Sequence, residues 1–213
     1  VAQIGGGVES ASQYELSDDV EVDLANGTAR VYLDRVDQYL ADAQWDDAVQ
    51  TLRQVMEEWG DQLLAVTDQR YVSVRDYCHL QLVSLPPQAL SLYRSRVDPL
   101  AQAWYERGMA GRDRRLLSKV VEEAFASSWG DDALAGLGEM ALESGDHAAA
   151  RAYWEKVVPL EIPEGQTRTS LTVPDTDLDL AAIRARLVLV SVLEGSRART
   201  EAELQGLSRL HPG

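Results

Sequence analysis

The chain has 213 residues, 45% of them hydrophobic and 26% charged, which suits one sizeable folded domain or two small ones and argues against a disordered chain. Thirty-five acidic against twenty basic residues give a net charge of -15, a field that repels phosphate backbones and anionic membrane surfaces and so argues against nucleic acid and lipid headgroups as partners. Cys78 is the single cysteine, which excludes an internal disulfide and a cysteine-built metal site. No run of about eighteen apolar residues occurs, so no transmembrane helix is expected. The opening VAQIGGGVES has no charged n-region, no apolar h-region and no initiator Met, so it is not a signal peptide and the chain reads as trimmed from something longer.

Residues 1–27 are Gly-rich and then acidic (ELSDDVEVDLANG) and read as a flexible tail, with the alternation of Val20, Val22 and Leu24 as its one strand-like feature. Asn26-Gly27 is a turn signal and Thr28 an N-cap candidate. A first helix is expected over 29–42, burying Val31, Tyr32, Val36, Tyr39 and Leu40. A second is expected over 46–59, burying Ala48, Leu52, Val55, Met56 and Trp59 and stopped by Gly60. In 61–87, LLAV is compatible with a helix extension, whereas YVSVRDY carries β-branched residues that lower helix propensity. The stripe of Val74, Tyr77, Cys78, Gln81, Leu82 and Leu85 places a helix at 74–84, closed by Pro86-Pro87.

Pro87 opens a short helix over 88–95. A separate helix is expected from Val97 or Asp98 to Met109, with Pro99 in its first turn and Leu100, Ala103, Trp104 and Gly108 buried. Gly111 ends it, and Asp113 caps the next, which buries Leu116, Leu117, Val120, Val121 and Ala124. Asp131 and Asp146 are N-cap candidates for a helix pair that ends at Pro159, and 159–176 reads as a long loop. Asp175 or Asp177 caps a long apolar helix over 178–194, with Ile183, Leu187, Val190 and Leu193 on its inner face. Thr200 with Glu203 makes a capping box that opens a last helix to Leu210, closed by Pro212.

The turns carry a period. Gly111-Arg112 and Gly145-Asp146 lie 34 residues apart (145 − 111), and Ala43-Gln44 precedes Gly111 by two such steps. Ala48, Leu116 and Ala150 then share one position after the turn, and Leu52, Val120 and Trp154 another. A period of about 34 with two helices per unit is the tetratricopeptide spacing. The unit at 131–159 resembles a tetratricopeptide repeat at Leu134, Leu137, Gly138, Gly145, Asp146, Ala150 and Trp154, with Ala141 standing where the pattern prefers an aromatic. The expected architecture is all-α, a right-handed superhelical stack of antiparallel helix pairs spanning 28–213. Its units lie at about 29–60, 61–96 (degenerate), 97–130, 131–164 and 177–211.

A second resemblance runs over most of 30–213. The phrases RVDQYLADAQWDDAVQTLRQV, VRDYCHLQLVSLPPQALSLYRSRVDPLA, GDHAAARAYWEKV and PDTDLDLAAIRARLVLVSVLEGS are similar to the N-terminal helical region of large planctomycete proteins. Those proteins carry a β-propeller of the quinone-cofactor type further along. The resemblance implies an exported or periplasmic protein with a propeller downstream, and a helical module that is itself non-catalytic and binds no cofactor. It leaves two alternatives open, a free-standing peptide-binding adaptor and an accessory domain of a quinone-dependent oxidoreductase.

No catalytic or metal-ligating constellation is legible. Cys78 and His79 are adjacent, and adjacent helical positions do not face each other, so a buried thiol beside a surface histidine is expected. Asp175, Asp177 and Asp179 alternate as calcium ligands do, but the Gly and distal Glu of a helix–loop–helix calcium site are missing. Gly5-Gly6-Gly7 lacks the flanking strand and Lys of a phosphate loop. The five Trp read as packing residues, with Trp129 as the candidate exposed anchor. In a curved repeat stack the first helix of each pair lines the concave face. That assigns Arg30, Leu33, Asp37, Ala101, Tyr105, Asp132, Ala135, Glu139 and Leu142 to a partner groove of acids and apolar groups. Such a groove suits a basic or amphipathic peptide, or the protein's own C-terminal domain.

Overall fold

The computed structural model describes residues 27–67, 70–158 and 170–210. The expected tail, the Gly5-Gly6-Gly7 run, most of the 159–176 loop, His211 and Pro212 lie outside these residues. The described residues are all-α apart from one small antiparallel hairpin. Nine helices run in order among the described residues: α1 (Gly27–Ala41), α2 (Trp45–Trp59), α3 (Val74–Val83), α4 (Pro87–Gly111), α5 (Arg114–Glu123), α6 (Gly130–Glu143), α7 (His147–Val157), α8 (Leu180–Leu193) and α9 (Arg197–Leu210). Between α2 and α3 stand β1 (Leu63–Thr67) and β2 (Arg70–Ser73). No helix among the described residues is long and apolar enough to cross a membrane.

Helices pack in sequence-adjacent pairs, α1 on α2, α4 on α5, α6 on α7 and α8 on α9, and each pair rests on the next. The four pair turns share one construction. Ala43, Arg112, Gly145 and Gly195 all have positive φ (57°, 49°, 78° and 69°). The residue after each, Gln44, Asp113, Asp146 and Ser196, donates its N–H to the carbonyl five residues back, at 2.8 to 2.9 Å. This bond closes the first helix of every pair by satisfying one of its orphan carbonyls. It also shifts the expected register by one residue at the second turn, because the left-handed position there is Arg112 and not Gly111. Asp113 and Asp146 then cap the second helices by accepting from Arg115 N–H and Ala149 N–H, as their positions predict.

Inner faces follow the local pattern where it is strong. Ala48, Leu52, Val55 and Met56 of α2 and Val74, Cys78 and Leu82 of α3 are buried. In α1 the buried stripe is Ala29, Leu33 and Val36, while Val31 is 56% exposed. The stripe expected from the aromatic residues is thus rotated, and Tyr32 and Leu40 flank the core instead of filling it. In α4 the buried positions are Leu90, Tyr93, Val97, Ala101 and Gly108, and Leu100 is 53% exposed.

Two helices were expected in 88–109, and α4 is one continuous helix with Pro99 inside it. A proline in a helix interior forfeits one hydrogen bond and crowds the carbonyl four residues back, at a cost of about 3 kcal/mol. Leu90, Tyr93, Val97 and Ala101 keep unbroken helical spacing across the site, and their burial offsets that cost. The stretch after α2 is a hairpin, with Leu64 opposite Val72 and a register shift between Ala65 and Thr67. Its β-branched residues pack better on a pleated surface than along a helix.

Three expected caps act elsewhere. Asp131 is the second residue of α6, whose N-cap is Trp129, and Asp131 is buried. Asp179, not Asp175 or Asp177, caps α8 by accepting from Ala181 N–H and Ala182 N–H. Thr200 sits inside α9 and donates its hydroxyl to the Ser196 carbonyl. For Asp131 and Asp175 a distant partner claims the side chain, Thr176 and Arg94 respectively, whereas Thr200 is taken up locally by the Ser196 carbonyl.

Candidate interaction surface

Side chains join the first helices α4, α6 and α8. Tyr105 of α4 packs on Trp129 at the start of α6, ring centroids 5.1 Å apart. Arg112, at the end of α4, pairs with Glu143 at the end of α6, and Glu139 of α6 pairs with Arg186 of α8. Exposed pairs of this kind contribute little stability, typically under about 1 kcal/mol, but they fix which helix faces meet. One stripe of α6 therefore carries Asp132, Ala135, Glu139 and Leu142 at helical spacing between α4 on one side and α8 on the other. Arg186, Leu189 and Leu193 continue the surface on α8, where both leucines are exposed. Met109 of α4, 41% exposed, lies against Gly136: a Cβ there would fall 2.8 Å from its sulfur.

The surface is electronegative at its Asp132 end. Burial, together with Asp131 and Asp177, pushes the Asp132 carboxyl up to about 6. Burial raises Asp131 as well, opposed by the Thr176 hydroxyl, which donates to Asp131 Oδ2 at 2.6 Å. Tyr105 is raised by burial and then by Asp132 and Asp131. The neighbouring Asp175 is neutralised separately. The Arg94 guanidinium grips it bidentately and holds its carboxyl below the usual carboxylate range. Asp132 and Asp177 are left facing outward without a cation among the described side chains, and a cationic group from a partner would relieve them.

The nine groove residues expected from sequence fall into two places. Tyr105, Asp132, Ala135, Glu139 and Leu142 share the α4–α6–α8 surface, all half-buried. Ala101 lies beneath it, fully buried. Arg30, Leu33 and Asp37 lie apart, lining a groove of about 320 Å³ between α1 and β1 with Asp34, Leu64, Ala65, Val66 and Tyr77. Leu33 itself belongs to the core at 5% exposure. Arg186 and Leu189 carry no expectation from the sequence, and Leu193, expected on the inner face of its helix, is 49% exposed because α8 turns Ile183, Leu187 and Val190 inward instead. The signal for Leu189 lies in α8, which beyond Arg186 is apolar except for Ser191, whereas an outer helix normally keeps a polar stripe. Trp129, expected as a free anchor, is half-buried against Tyr105.

Reactive groups are elsewhere and are enclosed. Cys78 is fully buried and burial pushes its thiol up to about 12, so it is no thiolate at neutral pH. His79 is also buried, against the expectation of a surface position, because α3 is covered on both flanks. His79 Nε2 donates to the Glu122 carbonyl at 2.9 Å, its ring packs near Phe125, and burial lowers its pKa. The Asp175–Asp179 segment disperses to Arg94, Asp131 and the α8 N-terminus. Among the described residues no group of three His, Cys, Asp or Glu side chains is placed to hold a metal ion.

A cavity of about 690 Å³ is lined by Leu80, Lys156, Leu171, Arg184, Leu187 and Glu203 among others. Arg184 and Glu203 in it already pair at 3.1 Å, and it borders residue 170, where the described chain resumes after 159–169. No protein-family model, no curated protein and no solved structure matches the chain.

Proposed function

We propose that this chain is a non-catalytic interaction module, a right-handed tetratricopeptide-like stack that holds a basic or amphipathic protein segment against α4, α6 and α8. The observation that carries the reading is the half-buried, cation-free Asp132 beside the Tyr105–Trp129 pair, at the end of a stripe that becomes apolar at Leu142, Leu189 and Leu193. An aromatic pair next to an unpaired carboxylate is a receptor for a Lys or Arg stem, with the charge on Asp132 and the methylenes on the rings. The apolar end takes the hydrophobic face of the same segment. Titration with a library of basic amphipathic peptides, followed by Trp129 fluorescence, tests this. Saturable change that Asp132→Asn weakens supports it, and the absence of any binder up to about 1 mM contradicts it.

A second reading follows from α8. Leu189, Val192 and Leu193 are 45%, 57% and 49% exposed on one side of a helix that has no polar face. Contiguous apolar exposure of this kind marks an interaction surface. It fits the N-terminal helical domain of a larger exported protein, docking its own β-propeller against α8. Hydrogen exchange on the full-length gene product decides between the readings. Protection of α8 relative to the 213-residue chain alone supports domain docking, and unchanged exchange argues for a separate partner.

A further inference from the structure

The groove between α1 and the hairpin is a different kind of surface from the α4–α6–α8 face. The sheet has two strands, so one edge of β1 has no strand beside it among the described residues. Its main-chain groups are assigned by the ladder. Val74 N–H donates to the Gln62 carbonyl at 2.8 Å, and the register continues through Leu63 opposite Ser73, Leu64 opposite Val72 and Ala65 opposite Tyr71. Hydrogen-bonded and non-bonded pairs alternate in an antiparallel ladder. Gln62 and Leu64 therefore face β2, and Leu63 and Ala65 turn their N–H and C=O groups to the free edge. No described residue takes those groups up.

That edge runs beside a groove with a floor and a charge. Leu33 and Leu64, both nearly buried, form the apolar floor, and Ala65 and Tyr77 also line the groove. Asp34 and Asp37 stand on the α1 wall, and neither is ion-paired. Burial and then the neighbouring Asp34 raise the Asp37 pKa. Tyr77 is raised by burial and then by Asp37. Arg30, the one cation in the lining, lies outside ion-pairing distance of both acids.

We propose that the free edge of β1 accepts an extended segment of a partner protein as a third strand, and that this segment is apolar on alternate residues and carries Lys or Arg opposite Asp34 and Asp37. Main-chain bonds to Leu63 and Ala65 supply the pairing, the Leu33–Leu64 floor takes the apolar side chains, and the two carboxylates select the charge. Strand addition at an exposed sheet edge obtains affinity from the backbone and specificity from the side chains. The charge choice follows from complementarity, since a like-charged segment would meet two unneutralised carboxylates.

The test uses the whole chain and a blocked six-residue probe, Thr-Lys-Val-Lys-Val-Thr, with two controls: Glu at both Lys positions, and N-methylation of alternate amides. Two variants accompany it. Ala65→Pro removes an N–H that points to the free edge and none that serves the β2 ladder, a position where an edge strand tolerates proline. Asp37→Asn removes a charge and no contact of the fold. Amide chemical shifts at 63–66 should move saturably with the Lys probe. Affinity should fall roughly tenfold with Ala65→Pro, and several-fold with Asp37→Asn. N-methylation should abolish binding, and Asp132→Asn, on the other surface, should leave it unchanged. The proposal is overturned if the Glu probe binds as well as the Lys probe, if both variants bind with wild-type affinity, or if no shift occurs up to about 1 mM.

Discussion

Gly138 of α6 lies directly against the indole of Trp154 of α7. A Cβ built on Gly138 would stand 2.8 Å from Trp154 Cδ1 and closer still to Nε1. Trp154 is fully buried and its N–H has no hydrogen-bond partner, so the ring is placed by packing alone. The closeness of α6 and α7 thus depends on the missing side chain. Gly138→Ala should lower stability by about 1–3 kcal/mol, the usual cost of overpacking. Trp154→Phe shortens the ring at the point of collision and sacrifices no hydrogen bond. The double variant should accordingly lose less than the sum of the two single losses. Denaturant unfolding of the four proteins measures the coupling, and additivity would mean that the contact is not limiting.

The shared turn makes a prediction of opposite sign at two equivalent sites. Ala43 holds φ 57° with a Cβ, and Gly145 holds φ 78° without one. Left-handed backbone costs an L-residue about 1–2 kcal/mol. Ala43→Gly should therefore stabilise the α1–α2 pair, by somewhat less than 1 kcal/mol once the added freedom of the unfolded chain is subtracted. Gly145→Ala should destabilise the α6–α7 pair by about 1 kcal/mol. Thermal melts of the two variants give the signs directly.

Asp132 gives a pH dependence. Its folded pKa, about 6, lies above the ordinary aspartate value of 3.8, so between these values the folded state binds more protons than the unfolded state. Stability from this group is complete below pH 3.8 and is lost as pH rises through 6. Asp132→Asn should raise the melting temperature at pH 7, by an amount equivalent to about 1–2 kcal/mol, and should do nothing at pH 3.5. It should also weaken the basic partner, because the carboxylate that destabilises the free protein is the one that recognises the cation.

Arg151 joins three helices. Its side chain is nearly buried, and it donates to Ser191 Oγ at 2.7 Å and to Glu194 Oε2 at 3.0 Å, with Glu155 and Glu203 within 4.0 Å. The Arg151 hydrogen bond holds the Glu194 carboxyl below its usual range. Removing the guanidinium deprives the Ser191 hydroxyl of its donor and takes one of two cations from Glu194 and Glu203, which keep Arg199 and Arg184, so the expected loss is about 1–3 kcal/mol. Arg151→Ala should raise hydrogen exchange across α8 and α9 before it affects α1–α4. Arg151→Lys should not restore protection, since one ammonium cannot span Ser191 and Glu194 in the guanidinium's planar fork. Uniform loss of protection over the whole chain would show that the α8–α9 pair does not open as a unit.

How far the sequence was legible follows from the range of the interactions. The Gly145–Asp146 turn, the Asp113 cap and the inner faces of α2 and α3 are decided within about one helical turn, and they stand where the pattern puts them. Asp131 and Asp175 look locally like caps, yet Asp131 is bonded by Thr176 and Asp175 by Arg94, 45 and 81 residues away. The continuity of α4 across Pro99 likewise depends on what covers Val97 and Ala101. Burial of His79 requires α3 to be flanked on both sides, which no periodicity in α3 announces. Of the surface, Tyr105, Asp132, Ala135, Glu139 and Leu142 follow from repeat spacing alone, whereas the free edge at Leu63 and Ala65 depends on a hairpin hidden in an ambiguous stretch.

The most direct measurement is residue-resolved chemical-shift mapping of the intact chain with a basic amphipathic peptide. If the α4–α6–α8 face is the receptor, the Trp129 indole and the amides of Tyr105, Asp132, Ala135, Glu139 and Leu142 will shift together and saturate at one dissociation constant. Asp132→Asn will weaken that constant. Shifts that spare this stripe while the peptide binds elsewhere, or no shift with any basic peptide, would contradict the account.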